Sequence, residues 1–203
     1  MPIKIMTMEK ELRRYNSEVR ATDGNTIGGY CVRFNEQSRD LGFVEIIERG
    51  AITQETIQSS DVFCLFNHDD DMVLGRSLNG KGNLRLTVDD EGVRYDCDLL
   101  DNELAKTVRS YIEAGLVDTS SFAFCVSDEE GAQEWKRMPD GTILRTIRKI
   151  DSMFDASPVW SSAYPTTSVS CRAFDEFKAQ EEKRNAELQA EYAEWREKIN
   201  SLN

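Results

Sequence analysis

Short apolar runs separated by turn chemistry recur along most of the chain and predict strands more often than helices. Residues 26–34, Thr-Ile-Gly-Gly-Tyr-Cys-Val-Arg-Phe, have the β-branched and aromatic content of a strand, and their two glycines suggest a bulge or tight bend. Residues 43–47 predict another strand and 53–58 a short helical turn. Val62-Phe63-Cys64-Leu65-Phe66 is a continuous apolar run of the kind buried on both faces. Alternating runs at 84–88 and 93–99 flank Asp89-Asp90-Glu91-Gly92, which predicts a hairpin and a sheet that is at least partly antiparallel.

Helical spacing first appears at 102–114, where Leu104, Val108, Tyr111 and Ile112 share a face and Gly115 offers a left-handed C-terminal residue. Ser120-Ser121-Phe122-Ala123-Phe124-Cys125-Val126 reads as a strand. It is followed by a turn-rich segment with Pro139-Asp140-Gly141 and a long strand pattern over 142–150. A further apolar segment runs through Met153, Phe154 and Val159 to Tyr164-Pro165, and residues 1–23 read as an entry strand. After Arg172 the composition turns to Glu, Lys, Gln, Ala and Arg without Gly or Pro, which predicts one continuous helix. Leu188, Tyr192, Trp195, Ile199 and Leu202 form a seam of about two heptads on it. The expected organisation is a β-dominated α+β domain over 1–172 and a charged helix over 173–203.

Composition narrows the classes of function. The 203 residues include 37 acidic and 25 basic side chains, a net charge of −12 that repels phosphate backbones and anionic lipid. The richest basic stretch, 145–149, is short and alternating, so no nucleic acid partner is expected. No apolar run approaches the roughly 20 residues of a membrane span, and Met1-Pro2-Ile3-Lys4-Ile5-Met6 is unlike a signal peptide. A cytosolic protein with no membrane partner is expected. The five cysteines lie far apart without a C-x-x-C pair, which argues for reduced thiols and against a structural zinc site or a disulfide framework.

Three side chains stand where chemistry is feasible. His68, the one histidine, follows the buried run at 62–66; a lone histidine is more often structural, but a rigid strand exit is where a base is both held and reachable. Ser120 and Ser121 open an apolar strand, a place where serines commonly satisfy backbone groups, and spacing alone does not join either to His68. Asp155 is a carboxylate inside an apolar segment, where its charge needs a partner, and an imidazole is one. Asp69-Asp70-Asp71 cannot easily converge on one ion and reads as a solvated turn, so neither a metal nor another cofactor is expected.

Several segments, in this order, resemble the prohead maturation proteases of tailed phages, relatives of the herpesvirus assemblin peptidases. They are Glu45-Ile46-Ile47-Glu48-Arg49-Gly50-Ala51-Ile52, Phe66-Asn67-His68-Asp69, Leu74-Gly75-Arg76, Ser121-Phe122-Ala123-Phe124 and Asp155-Ala156-Ser157-Pro158-Val159, leading to Ala163-Tyr164-Pro165. The resemblance spans roughly residues 25–172. It implies a closed or nearly closed β-barrel with surrounding helices, and a serine endopeptidase with Ser121 as nucleophile, His68 as base and Asp155 as the third member.

The resemblance also implies substrates and a place. These are the scaffolding part of the major capsid protein or a separate scaffold, and the protease itself, inside the assembling prohead in the bacterial host cytoplasm. The C-terminal helix then serves scaffold docking or self-association. Three departures bear on the chemistry. Asp155 stands where the family usually has glutamate, Ala123 where it commonly has glycine, and the herpesvirus relatives use two histidines where this chain has one. The alternatives are a catalytically silent capsid-assembly factor that binds scaffold, and an unrelated β-barrel binding domain. Arg76 and Arg148 are further candidate supports of the site.

Overall fold

The chain divides into two compact units, Met1–Thr166 and Thr167–Asn203. The structure is a computed structural model that describes residues 10–22, 24–160 and 168–200. In chain order the elements are β1 (Glu11–Glu18), β2 (Arg20–Ala21), β3 (Thr26–Arg33), β4 (Val44–Ile47), α1 (Gln54–Ser59), β5 (Asp61–Leu65), β6 (Val73–Leu78) and β7 (Lys81–Gly82). They continue as β8 (Leu84–Val88), β9 (Gly92–Asp98), α2 (Glu103–Glu113), β10 (Thr119–Val126), β11 (Gln133–Arg137), β12 (Ile143–Ile147), β13 (Ile150–Val159) and α3 (Ser168–Asn200). The fold is α+β and strand-dominated, with one long C-terminal helix.

Among the described residues the strands form three sheets, ordered β1-β10-β13-β5-β6-β7, β11-β12-β4 and β2-β3-β9-β8. Pairing is antiparallel except between β13 and β5 and between β12 and β4. Among the described residues none of the three sheets closes on itself, so the closed or nearly closed barrel that the resemblance implies is not confirmed by these ladders. β1 pairs through its backbone with β10 and meets β4 and β12 through side chains: Arg13 bonds Glu45, and Arg145 bonds Glu11.

The core lies between the first and third sheets. Val62, Cys64, Phe122 and Met153 of the first meet Ile27, Val32, Leu84 and Tyr95 of the third, with Ile57 of α1 and Val108 and Ile112 of α2 closing the edges. Each such burial contributes about 1.5–3 kcal/mol, offset by lost conformational freedom. Gly75 on β6 is small for a packing reason, since a Cβ there would stand 2.5 Å from Cys97 Sγ. Cys31, Cys64 and Cys97 are buried free thiols, and the side chain of Cys171 lies outside the described residues.

Local chemistry explains the helix ends. Asn102 caps α2 by accepting from the Ala105 N–H at 2.8 Å, and Gly115, at φ +71°, ends it with its N–H on the Ile112 carbonyl. The 142–150 pattern is two elements, because Arg148 and Lys149 both donate their N–H groups to the Ala132 carbonyl. That corner moves the chain from β12 in one sheet to β13 in another.

In the second unit α3 begins at Ser168, earlier than the composition change at Arg172 suggests. Leu188, Tyr192 and Trp195 of the heptad seam are exposed, Tyr192 and Trp195 by 71% and 62%. The Ile199 side chain, Leu202 and the 163–165 segment lie outside the described residues.

Candidate active site

Three adjacent strands of the first sheet converge on one point. β10 carries Ser121, its neighbour β13 carries Asp155, and β5, beyond β13, delivers His68 through a turn. Successive strand residues face opposite sides, and this separates the two serines. Ser120 turns toward the core, its Oγ 3.1 Å from the Tyr95 hydroxyl, while Ser121 turns to the imidazole. In the β10–β13 register Ser121 lies opposite Ser157, and Ala123 opposite Asp155. The small Ala123 side chain therefore sits beside the buried carboxylate, in an ordinary strand that does not require glycine.

His68 is placed by backbone geometry that few residues accept. Asn67 and His68 have φ +57° and +60°, and the Asp69 N–H closes the turn on the Phe66 carbonyl at 3.1 Å. Two successive left-handed residues are the mark of a type I′ turn, and asparagine is among the few side chains suited to it. Asp69 Oδ1 accepts the Asp71 N–H at 2.9 Å, so the acidic run forms an Asx turn. Among the described residues no three His, Cys, Asp or Glu side chains are grouped to hold a metal ion.

A hydrogen-bonded chain links the three predicted residues. Asp155 Oδ1 is 2.8 Å from His68 Nδ1, and His68 Nε2 is 2.7 Å from Ser121 Oγ. A carboxylate only accepts, so neutral His68 carries its proton on Nδ1 and offers the Nε2 lone pair to the hydroxyl. Asp155 is fully buried, the His68 side chain is 17% exposed and Ser121 is 3% exposed. The arrangement is able to take a proton from Ser121 and to stabilise the resulting imidazolium.

Groups that sequence reasoning did not single out complete the site. Ser121 Oγ also lies 2.7 Å from the Arg13 carbonyl, giving its single proton a second acceptor. Lys10 Nζ approaches Asp155 Oδ2 at 3.4 Å. Ser157 Oγ is 3.0 Å from Asp155 Oδ1. Arg76 is instead engaged with Asp61, and Arg148 with Glu134 and Glu48. Alternation around Ser157 was a readable signal; the β1 contacts, remote in sequence, left none.

Arg13 is fixed by a buried quartet of charges. Its guanidinium bonds Glu45 at 2.6 and 2.8 Å and Glu11 at 2.6 Å, while Arg145 bonds Glu11 at 2.6 and 2.8 Å and Glu45 at 2.9 Å. Burial opposes the charge on Arg13, but Glu45 and then Glu11 hold the guanidinium above its ordinary range. Burial likewise opposes ionisation of Glu11, and Arg145 followed by Arg13 outweighs it, leaving that carboxyl below its usual value. The quartet is neutral overall and ties β1, with the carbonyl facing Ser121, to β4 and β12.

Comparison with known proteins agrees with this architecture. The bacteriophage T4 capsid assembly protease, gp21, shares the fold, with a TM-score of 0.50 at 10% sequence identity over 76% of this chain and 99% of the other. No curated protein matches the sequence. Residues 10–180 match the family model described as caudovirus prohead serine protease, and a match over that much of the sequence shows that the chain belongs to this family.

Proposed function

We propose that this protein is a serine endopeptidase of prohead maturation in which Ser121 is the nucleophile, His68 the general base and Asp155 the residue that orients the imidazole. The observation that carries this reading is the unbroken chain Asp155–His68–Ser121, with links of 2.8 and 2.7 Å. Ser121 Oγ attacks the scissile carbonyl carbon as its proton passes to His68 Nε2. The proton then goes to the leaving amine as the C–N bond breaks. Water, deprotonated by His68, releases the acyl group as a carboxylic acid and restores the serine. Asp155 keeps the second imidazole proton on Nδ1 and balances the imidazolium charge.

The substrates under this reading are the scaffolding part of the major capsid protein or a separate scaffold, together with the protease itself, in the assembling prohead. Confinement there raises local concentration, so weak intrinsic affinity suffices. Exposed Tyr192 and Trp195 give α3 an apolar stripe for scaffold helices or for a second copy of the chain. No helix among the described residues is long and apolar enough to cross a membrane.

The slight exposure of Ser121 favours a second reading, an assembly factor that binds scaffold without cleaving it. Co-expression with the capsid and scaffold proteins of the same phage, followed by intact-mass measurement of every product, separates the two. Scaffold fragments whose ends define discrete cleavage sites support the peptidase. Full-length scaffold co-purifying with the chain supports the silent factor.

A further inference from the structure

Ser157 is a buried hydroxyl with two partners of opposite kind. It accepts the Leu65 N–H at 3.1 Å and lies 3.0 Å from Asp155 Oδ1. Because a carboxylate only accepts, the single Ser157 proton goes to Asp155, the same oxygen that receives His68 Nδ1–H. Leu65 is the last residue of β5 before the turn that carries His68. β13 and β5 share a single paired position, Asp155 with Phe63, and the Ser157 hydroxyl takes the place of the missing ladder acceptor for Leu65. One side chain thus grips both the carboxylate and the strand that delivers the imidazole.

We propose that Ser157 is a positioning residue of the peptidase, fixing Asp155 Oδ1 against His68 and moderating how strongly the carboxylate holds the imidazolium. The proposal rests on the triad reading above. Among the described residues Asp155 Oδ2 has no hydrogen-bond partner, and its charged neighbour is Lys10 at 3.4 Å, so the hydroxyl acts on the oxygen that faces the histidine. Among the described residues the Cys31 and Cys64 thiols also feel the charge of the carboxylate. Burial pushes Cys31 up; a hydrogen bond to Cys97, then burial, pushes Cys64 up. Both remain uncharged near neutrality. Asp69, Asp70 and Asp71 follow His68 in its own loop.

The chain has one histidine, so its imidazole resonances need no assignment. The test is an NMR titration of the ¹⁵N-histidine-labelled full chain, run on wild type, Ser157→Ala, Ser157→Thr and Asp155→Asn, with a thermal melt of each. Loss of the donor leaves a more basic carboxylate, so Ser157→Ala moves the imidazole midpoint up by about half a pH unit, and Ser157→Thr restores it. Scaffold cleavage by Ser157→Ala falls about three- to tenfold in kcat with KM unchanged. A purely structural serine would lower the melting temperature and leave the midpoint in place. An unmoved midpoint in Ser157→Ala, with a moved one in Asp155→Asn, overturns the proposal and leaves the triad standing. An unmoved midpoint in Asp155→Asn overturns the Asp155 assignment itself. Should Ser157→Ala not fold, Ser157→Cys, a weak donor of similar size, takes its place in the comparison.

Discussion

The Asn67 side chain holds Trp160: its Oδ1 accepts the Trp160 N–H at 2.9 Å, while the Asn67 N–H donates to the Pro158 carbonyl at 3.1 Å. These two bonds clamp the His68 turn onto the end of β13, the strand that carries Asp155. The separation of imidazole and carboxylate is therefore set by more than their own contact. Asn67→Gly keeps the left-handed backbone and the N–H bond to Pro158 and loses only the side-chain bond to the Trp160 backbone N–H, so it is expected to fold normally and to cleave about tenfold more slowly, since small misplacements near a reacting group are costly. Asn67→Ala adds backbone strain of about 1 kcal/mol, read as a lower melting temperature. Equal cleavage by Asn67→Gly and wild type would show that the side-chain half of the clamp is dispensable.

The buried quartet makes a second expectation quantitative. Arg145→Met leaves Glu11 and Glu45 buried with a single guanidinium, and breaking such a pair typically costs about 3–5 kcal/mol. Urea unfolding of the variant measures this directly. A loss below about 1 kcal/mol would mean that water reaches these carboxylates, as in an exposed pair.

Acid stability follows from Glu11. Its carboxyl is depressed in the folded state below the ordinary value of 4.5, so the unfolded chain binds the proton more readily. The stability this provides is fully present above about pH 4.5 and is lost as pH falls through the lower folded value. Unfolding free energy measured by urea at successive pH values is expected to drop with acidification below that point. The drop is expected to be shallower in Glu11→Gln, which has no proton to take up there. Parallel curves for the two proteins would remove Glu11 from the acid transition.

Much of this architecture was legible because local patterns agreed with it. Asp89-Asp90-Glu91-Gly92 between alternating runs announced the β8–β9 hairpin, and Asn102 with Gly115 bracketed α2. The apolar run before Phe66 announced the strand that delivers His68. What escaped depended on partners distant in sequence. β11 holds Trp135 among polar residues and reads as loop until β12 pairs with it. The corner at Arg148 and Lys149 is made by the Ala132 carbonyl, which no periodicity within 142–150 reveals. Glu11, Arg13, Glu45 and Arg145 look like surface charges, because burial of an ion pair is a property of the pair. Ser120 and Ser121 were distinguishable only by resemblance until the register of β10 against β13 set their faces.

The assignment of the nucleophile is tested most directly by comparing scaffold cleavage by Ser121→Ala and Ser120→Ala, with intact masses of the products as the readout. Ser121→Ala is expected to abolish every cleavage while remaining folded. Ser120→Ala, which loses only the hydroxyl beside Tyr95, is expected to yield the wild-type fragments. Wild-type fragments from Ser121→Ala would contradict the account at its centre.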